Sequence, residues 1–152
     1  MQPRNLTIAV DPGVSGALVI SNGANDILCC EKFTTIGDMR GHIARAADQH
    51  PLHTPVAWLE SVHSSPGMGV KSSFTFGQNF GEWCGLFAGL QIPVNLIKPQ
   101  QWQRMITGLK GKKDAERKNA LKAEAQRLFP SIKVTLKNAD ALLINHCVVS
   151  KK

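Results

Sequence analysis

At 152 residues, with 43% hydrophobic and 19% charged residues, the chain has the size and composition of a single globular domain over 1–152, not of a disordered chain. No apolar run approaches the roughly 20 residues of a membrane span, and the opening MQPRNLTIAV has no long apolar stretch before a cleavage site; a cytoplasmic protein without a membrane partner is expected. The formal net charge of +7 is carried by residues 98–133, where ten Lys or Arg meet three acids, so this segment is either a solvated helix face or the footprint of a polyanion.

In chain order, residues 6–11 and 16–21 are predicted strands joined by the turn Pro12-Gly13-Val14-Ser15-Gly16, and Ser21-Asn22-Gly23 turns the chain towards a third strand over 27–34. Met39, Ile43 and Ala46-Ala47 recur at helical spacing, which predicts an amphipathic helix over about 37–50. VAWLE, residues 56–60, is apolar on both faces and suits a central strand. The loop SVHSSPGMGVKSS follows, then a helix over about 74–90 and a strand over 92–97. KPQQWQRMITG suits a short helix with Pro99 in its first turn, and LKGKKD is a basic loop. Residues 114–128 form a predicted helix with Leu121, Ala125 and Leu128 on one face, and a last helix covers 138–149. Antiparallel strands followed by βαβ units give an α/β domain with a mixed central sheet and helices on both faces.

Gly77, Gly81, Gly85 and Gly89 recur every four residues in one helix, where each costs about 0.5–1 kcal/mol relative to Ala. Such a stripe implies close packing of the helix on the sheet, or a subunit contact. The four cysteines, Cys29, Cys30, Cys84 and Cys147, show no zinc-site spacing and read as reduced thiols.

Three acids stand in an odd context. Asp11 closes the first strand, Glu60 closes the central strand, and Asp140 opens the last helix among Ala139, Leu142, Leu143 and Ile144. An acid among buried positions is costly unless it is paired or holds a cation. Singly, each has a structural reading as a turn acceptor or a helix N-terminal charge. Together they offer the hard oxygens that Mg²⁺ prefers, and two such ions about 4 Å apart would activate a water and stabilise the leaving oxygen of a phosphodiester. A phosphate-cradling hairpin is the rival reading of DPG. The actin-like and sugar-kinase ATPases that carry one need two closing domains, which 152 residues do not supply, and no GxxxxGK[ST] loop is present.

The ordered set VDPGVSGALVI, LESVHSSPGMGVKSSFTFGQNFGEWCGLFAGL, IPVNLIKPQQWQRMI, GKKDAERKNALKAEAQRLFP and ADALLINH resembles the RuvC-type Holliday junction resolvases, above all their short phage-encoded members, from Leu6 to about Cys147. The resemblance implies an RNase H-like fold, a mixed five-stranded sheet with its first three strands antiparallel, and a homodimer that cuts four-way DNA. It implies Mg²⁺, with Mn²⁺ as a substitute and two ions per site, held by Asp11, Glu60 and Asp140, with Glu60 bridging. The family's fourth ligand, an Asp or His about three residues before the final Asp, falls here on Lys137. Lys137 is then open to a phosphate contact, and Asn138 to completing the shell. An inactivated nuclease centre in a branched-DNA-binding protein, and an RNA-processing nuclease of the same fold, are the other readings.

Lys112, Lys113, Arg117 and Lys118 stand at a loop–helix junction suited to phosphates, and Lys98, Lys110 and Lys137 are further candidates. Met68 and Phe74, beyond the strand of Glu60, are candidate wedges between bases. His63 suits a phosphate or water contact or a plain surface position, and His146 a partly buried structural one. Trp58 suits the core, whereas Trp83 and Trp102 are candidates to flank DNA or a dimer seam.

Overall fold

A computed structural model describes residues 4–23 and 26–151; residues 1–3 of the opening segment and residue 152 lie outside them. Five strands form one mixed sheet in the order β3-β2-β1-β4-β5: β1 (Arg4–Asp11), β2 (Ala17–Ser21), β3 (Ile27–Lys32), β4 (His53–Glu60) and β5 (Val94–Ile97). The first three strands pair antiparallel, and β4 and β5 run parallel to β1, as expected from the sequence.

Alternation along the strands sorts side chains into two layers. Leu6, Ile8, Val10, Leu18, Ile20, Ala57 and Leu59 face one side, which is covered by α1 (Ile36–Gln49) and α2 (Val70–Gly89) through Met39, Ile43, Trp83 and Phe87. Ala9, Ala17 and Val19 face the other side. There they meet α5 (Ala139–Val149), backed by α3 (Pro99–Gln103) and α4 (Asp114–Leu128) through Trp102, Leu121 and Ala125. Each fully buried large side chain adds about 1.5–3 kcal/mol, so the two layers together hold the sheet from both sides. α5 has almost no polar face. Its buried Asn145 accepts a 2.7 Å hydrogen bond from Ser21 Oγ, which fixes the register of the helix on the sheet.

The β1–β2 turn is tight. A Cβ on Gly16 would collide with the Asp11 carbonyl oxygen, and Gly13 takes a φ of +115° beneath the Phe76 ring. The Gly13 N–H donates a 2.7 Å bond to Asn79 Oδ1, and Asn79 is only 3% exposed. The hairpin that ends β1 is thus pegged to the middle of α2.

Several boundaries differ from the sequence reading, three of them next to a proline or glycine. β4 begins at His53, upstream of Pro55, because β5 pairs with β4 only from Ala57 onward and leaves that edge free for a residue without an N–H. β5 starts at Val94, after Pro93. α2 starts at Val70, four residues early, from an extended Gly69 with no side-chain cap, and its Ser-rich first turn is exposed.

One correction concerns the glycine stripe. A Cβ at Gly77, Gly81, Gly85 or Gly89 would meet nothing within 4 Å, so the stripe faces away from the sheet and close helix-on-sheet packing does not explain it. Trp83 and Phe87 occupy the packed face instead.

Asn79→Ala removes the acceptor of a buried backbone N–H and is expected to lower the unfolding free energy by about 1–3 kcal/mol. Urea unfolding with an unchanged midpoint would contradict that role.

Candidate active site

Strand parity decides where the acids point. Asp11 lies two residues beyond Ala9, and Glu60 two beyond Trp58, so both share the sheet face covered by α5. β1 and β4 are adjacent and parallel, with Val10 opposite Leu59, so the two carboxylates stand side by side at the carboxyl ends of the strands. Ligands of open α/β sheets bind at such ends. α5 runs back across this face, so Asp140, in its first turn, comes down beside them and near the positive end of the helix dipole. The three acids singled out in the sequence therefore lie at one end of the sheet, within electrostatic reach of one another.

Their electrostatics are those of crowded, dehydrated anions. Burial, then Asp140 and Glu60, push the Asp11 carboxyl well above its ordinary range, against a weaker pull from Lys118. The Glu60 carboxyl rises to about 7, chiefly through burial, with Asp140 adding and a hydrogen bond from Trp102 opposing. Asp140 is raised by burial and eased by Lys118. Among the described residues none of the three forms a salt bridge.

Among the described residues no three His, Cys, Asp or Glu side chains converge closely enough to hold an ion as they stand. Glu60 Oε2 instead accepts a 2.6 Å bond from Trp102 Nε1. The donor chemistry nonetheless fits a divalent cation: three oxygen-bearing acids, dehydrated, without counter-ions of their own, at one mouth of the fold.

Two of the three, Asp11 and Asp140, line a cleft of about 430 Å³ with Gly13, Phe76, Lys118 and Lys137; Glu60, 9% exposed, is not among its lining residues. At roughly 30 Å³ per water the cleft has room for a hydrated ion and a phosphate group. Lys137 stands in this cleft, as the departure at the fourth-ligand position left open. Asn138 does not complete the shell: its Oδ1 accepts from the Thr135 N–H at 2.8 Å and its Nδ2 donates to the Lys133 carbonyl at 3.2 Å, so its amide holds the turn before α5.

Of the other basic candidates, Lys118 shares the cleft, and Lys98 lines an adjoining one with His63 and Phe76. Arg117 is engaged internally, donating to Gln103 Oε1 at 2.6 Å and to the Lys112 carbonyl at 3.3 Å. Lys110, Lys112 and Lys113 lie on the loop that leads into α4, outside these clefts. Met68 and Phe74, the latter 73% exposed, line one groove of about 470 Å³ with His63, Phe76 and Phe80. His146 is half-buried and edge-on to Phe129. Trp83 and Trp102 are fully buried, so neither flanks DNA or a dimer seam.

Sequence reasoning missed three residues. Phe76 touches every cleft around the site, but as one Phe in an apolar helix it carried no signal. Asn79 carried one, a lone amide between Phe76 and Phe80 on the packed face. Trp102 was noticed, but its partner was not readable.

The chain shares its fold with solved RuvC structures. The chain is similar to T. thermophilus RuvC in complex with a Holliday junction substrate, with a TM-score of 0.66 and 13% identity over 97% of this chain and 95% of that one. It is also similar to a second Thermus thermophilus RuvC structure, with a TM-score of 0.63 and 13% identity over 96% and 95% of the two chains. No protein-family model and no curated protein matches the sequence.

The raised carboxyls make a pH prediction. A group whose folded pKa is raised favours its proton in the folded chain. Glu60 thus contributes stability in full below its ordinary 4.5, and this is lost as pH rises through about 7. Asp11 and Asp140 act in the same sense. Chelator-treated protein is expected to lose about 3 kcal/mol from Glu60 alone across that window, and Mg²⁺ to restore stability at its upper end. Thermal unfolding in chelator that shows rising stability from pH 4.5 to 7 would contradict this.

Proposed function

We propose that this chain is a structure-selective, divalent-metal-dependent endodeoxyribonuclease that resolves four-way and other branched DNA by paired nicks. The observation that carries this reading is the meeting of Asp11, Glu60 and Asp140 at the ends of two parallel strands and the start of α5, on a fold shared with a protein solved on a Holliday junction. The motif resemblance further supports a short, phage-type member acting in the host cytoplasm.

Asp11 and Glu60 are aimed by the sheet and Asp140 by α5; together they would hold Mg²⁺ or Mn²⁺. When bound, the ion supplies Lewis-acid polarisation of the phosphodiester and a water of lowered pKa. Lys118 and Lys137 already place positive charge in the cleft, which favours one tightly held ion, with a second recruited with the phosphate. The basic loop and α4 would neutralise flanking phosphates, and the Met68–Phe74 groove offers an apolar surface to unpaired bases. Two incisions need two centres and each chain has one, so a homodimer is required; the exposed glycine stripe of α2 lets two helices approach closely.

A second reading, a branched-DNA binder with an inactive centre, is favoured by Lys137 and by the open spacing of the acids.

One assay separates them. Wild type is expected to nick both strands of a synthetic four-way junction in Mg²⁺, in preference to duplex RNA or an RNA–DNA hybrid. Asp11→Asn is expected to lower cleavage by more than about a hundredfold, beyond what loss of a supporting group costs, while salt-sensitive binding in Ca²⁺ persists. Binding without cleavage by the wild type would favour the binder. Normal cutting by Asp11→Asn would overturn the site.

A further inference from the structure

The chain buries two tryptophans completely, and they are used differently. Trp83 lies between Phe33 and Phe87, and its Nε1 has no hydrogen-bond partner among the described residues. Trp102, on the opposite side of the sheet, aims its Nε1 at Glu60 Oε2 and donates at 2.6 Å, shorter than the usual 2.7–3.2 Å of N–H···O bonds. Hydrophobic burial alone explains Trp83. It does not explain why the second indole ends on the one acid of β4.

The ring is held firmly. Trp102 belongs to a single-turn helix braced at three points: the Lys98 N–H donates to Gln101 Oε1 at 2.8 Å, Cys147 Sγ donates to the Trp102 carbonyl at 3.5 Å, and Gln103 Oε1 accepts from Arg117 at 2.6 Å. The indole packs with Leu121, Ala125 and Leu142 in the core beneath α5. An indole N–H only donates, so it selects an oxygen, and a ring that cannot swing fixes where that oxygen lies. Glu has three side-chain torsions to settle, and this bond settles the last of them.

We infer that Trp102 is a positioning residue for Glu60: its indole N–H holds one carboxylate oxygen and leaves the other, Oε1, as the oxygen offered to a divalent cation. The inference rests on the metal-centre reading above and adds to it a supporting contact. Groups that orient a metal's ligands typically cost 10–100-fold in affinity when removed.

The test is Mn²⁺ binding by calorimetry on the intact chain without DNA. Trp102→Phe keeps an aromatic ring and removes the N–H. It is expected to weaken Mn²⁺ by about tenfold or more, whereas Trp83→Phe, which removes an unpartnered N–H from an equally buried ring, binds as wild type. Equal binding by wild type and Trp102→Phe, or equal weakening in both variants, would overturn the inference and leave the metal reading standing. No Mn²⁺ uptake by the wild type would overturn both. Should Trp102→Phe fail to fold, the wild-type indole N–H resonance of Trp102, identified by elimination with Trp58→Phe and Trp83→Phe, carries the test. It is expected to move upfield in Glu60→Gln and to shift on Mg²⁺ addition, and a resonance indifferent to both would overturn the inference.

Discussion

Three dehydrated carboxylates, at the ends of two strands and the start of a helix, set the electrostatics of this end of the fold. Asp11 and Glu60 end adjacent parallel strands, and α5 adds Asp140, so three negative charges are crowded where water is scarce. Left ionised and unpaired, such groups would cost several kcal/mol each. The protein answers by letting protons bind at unusually high pH, by drawing Glu60 to an indole N–H, and by placing Lys118 within electrostatic reach. A divalent cation would answer all three charges at once. Perturbed carboxylates at one end of an otherwise apolar sheet are what the proposed metal site requires.

Rigid surroundings make that crowding usable. The hairpin after Asp11 is closed by Gly16 and pegged by Asn79, so β1 cannot fray at its charged end. α5 is buried almost all round and registered by the Ser21–Asn145 bond at the far end of the sheet, so Asp140 cannot back away. Trp102 holds Glu60. Each acid is aimed by a different element of the fold.

Much of this was legible in the residues. The order of strands, the two-sided sheet and the three acids all followed from apolar runs that end on charge. The alternation of β1 even dictates that Asp11 and Ala9 share a face. What escaped the sequence depended on partners far along the chain. Pro55 reads as a strand breaker until β5 is known to pair only beyond it. A four-residue glycine period defines a face of α2 but not whether that face looks inward, and it looks outward. Trp83 and Trp102 are indistinguishable as sequence, yet only one finds an acid, 42 residues away. Asn138 looked free to bind metal until its amide was seen spanning the turn between Lys133 and Thr135.

The central claim is that Asp11, Glu60 and Asp140 close around a divalent ion. The most direct measurement is a crystal structure of the chain grown with Mn²⁺, with data collected near the manganese absorption edge. The account predicts an anomalous peak within about 2–2.5 Å of oxygens from all three carboxylates, the distances of hard-cation coordination. Ordered crystals with no peak there, or with the three acids still apart and Lys137 filling the space between them, would contradict it.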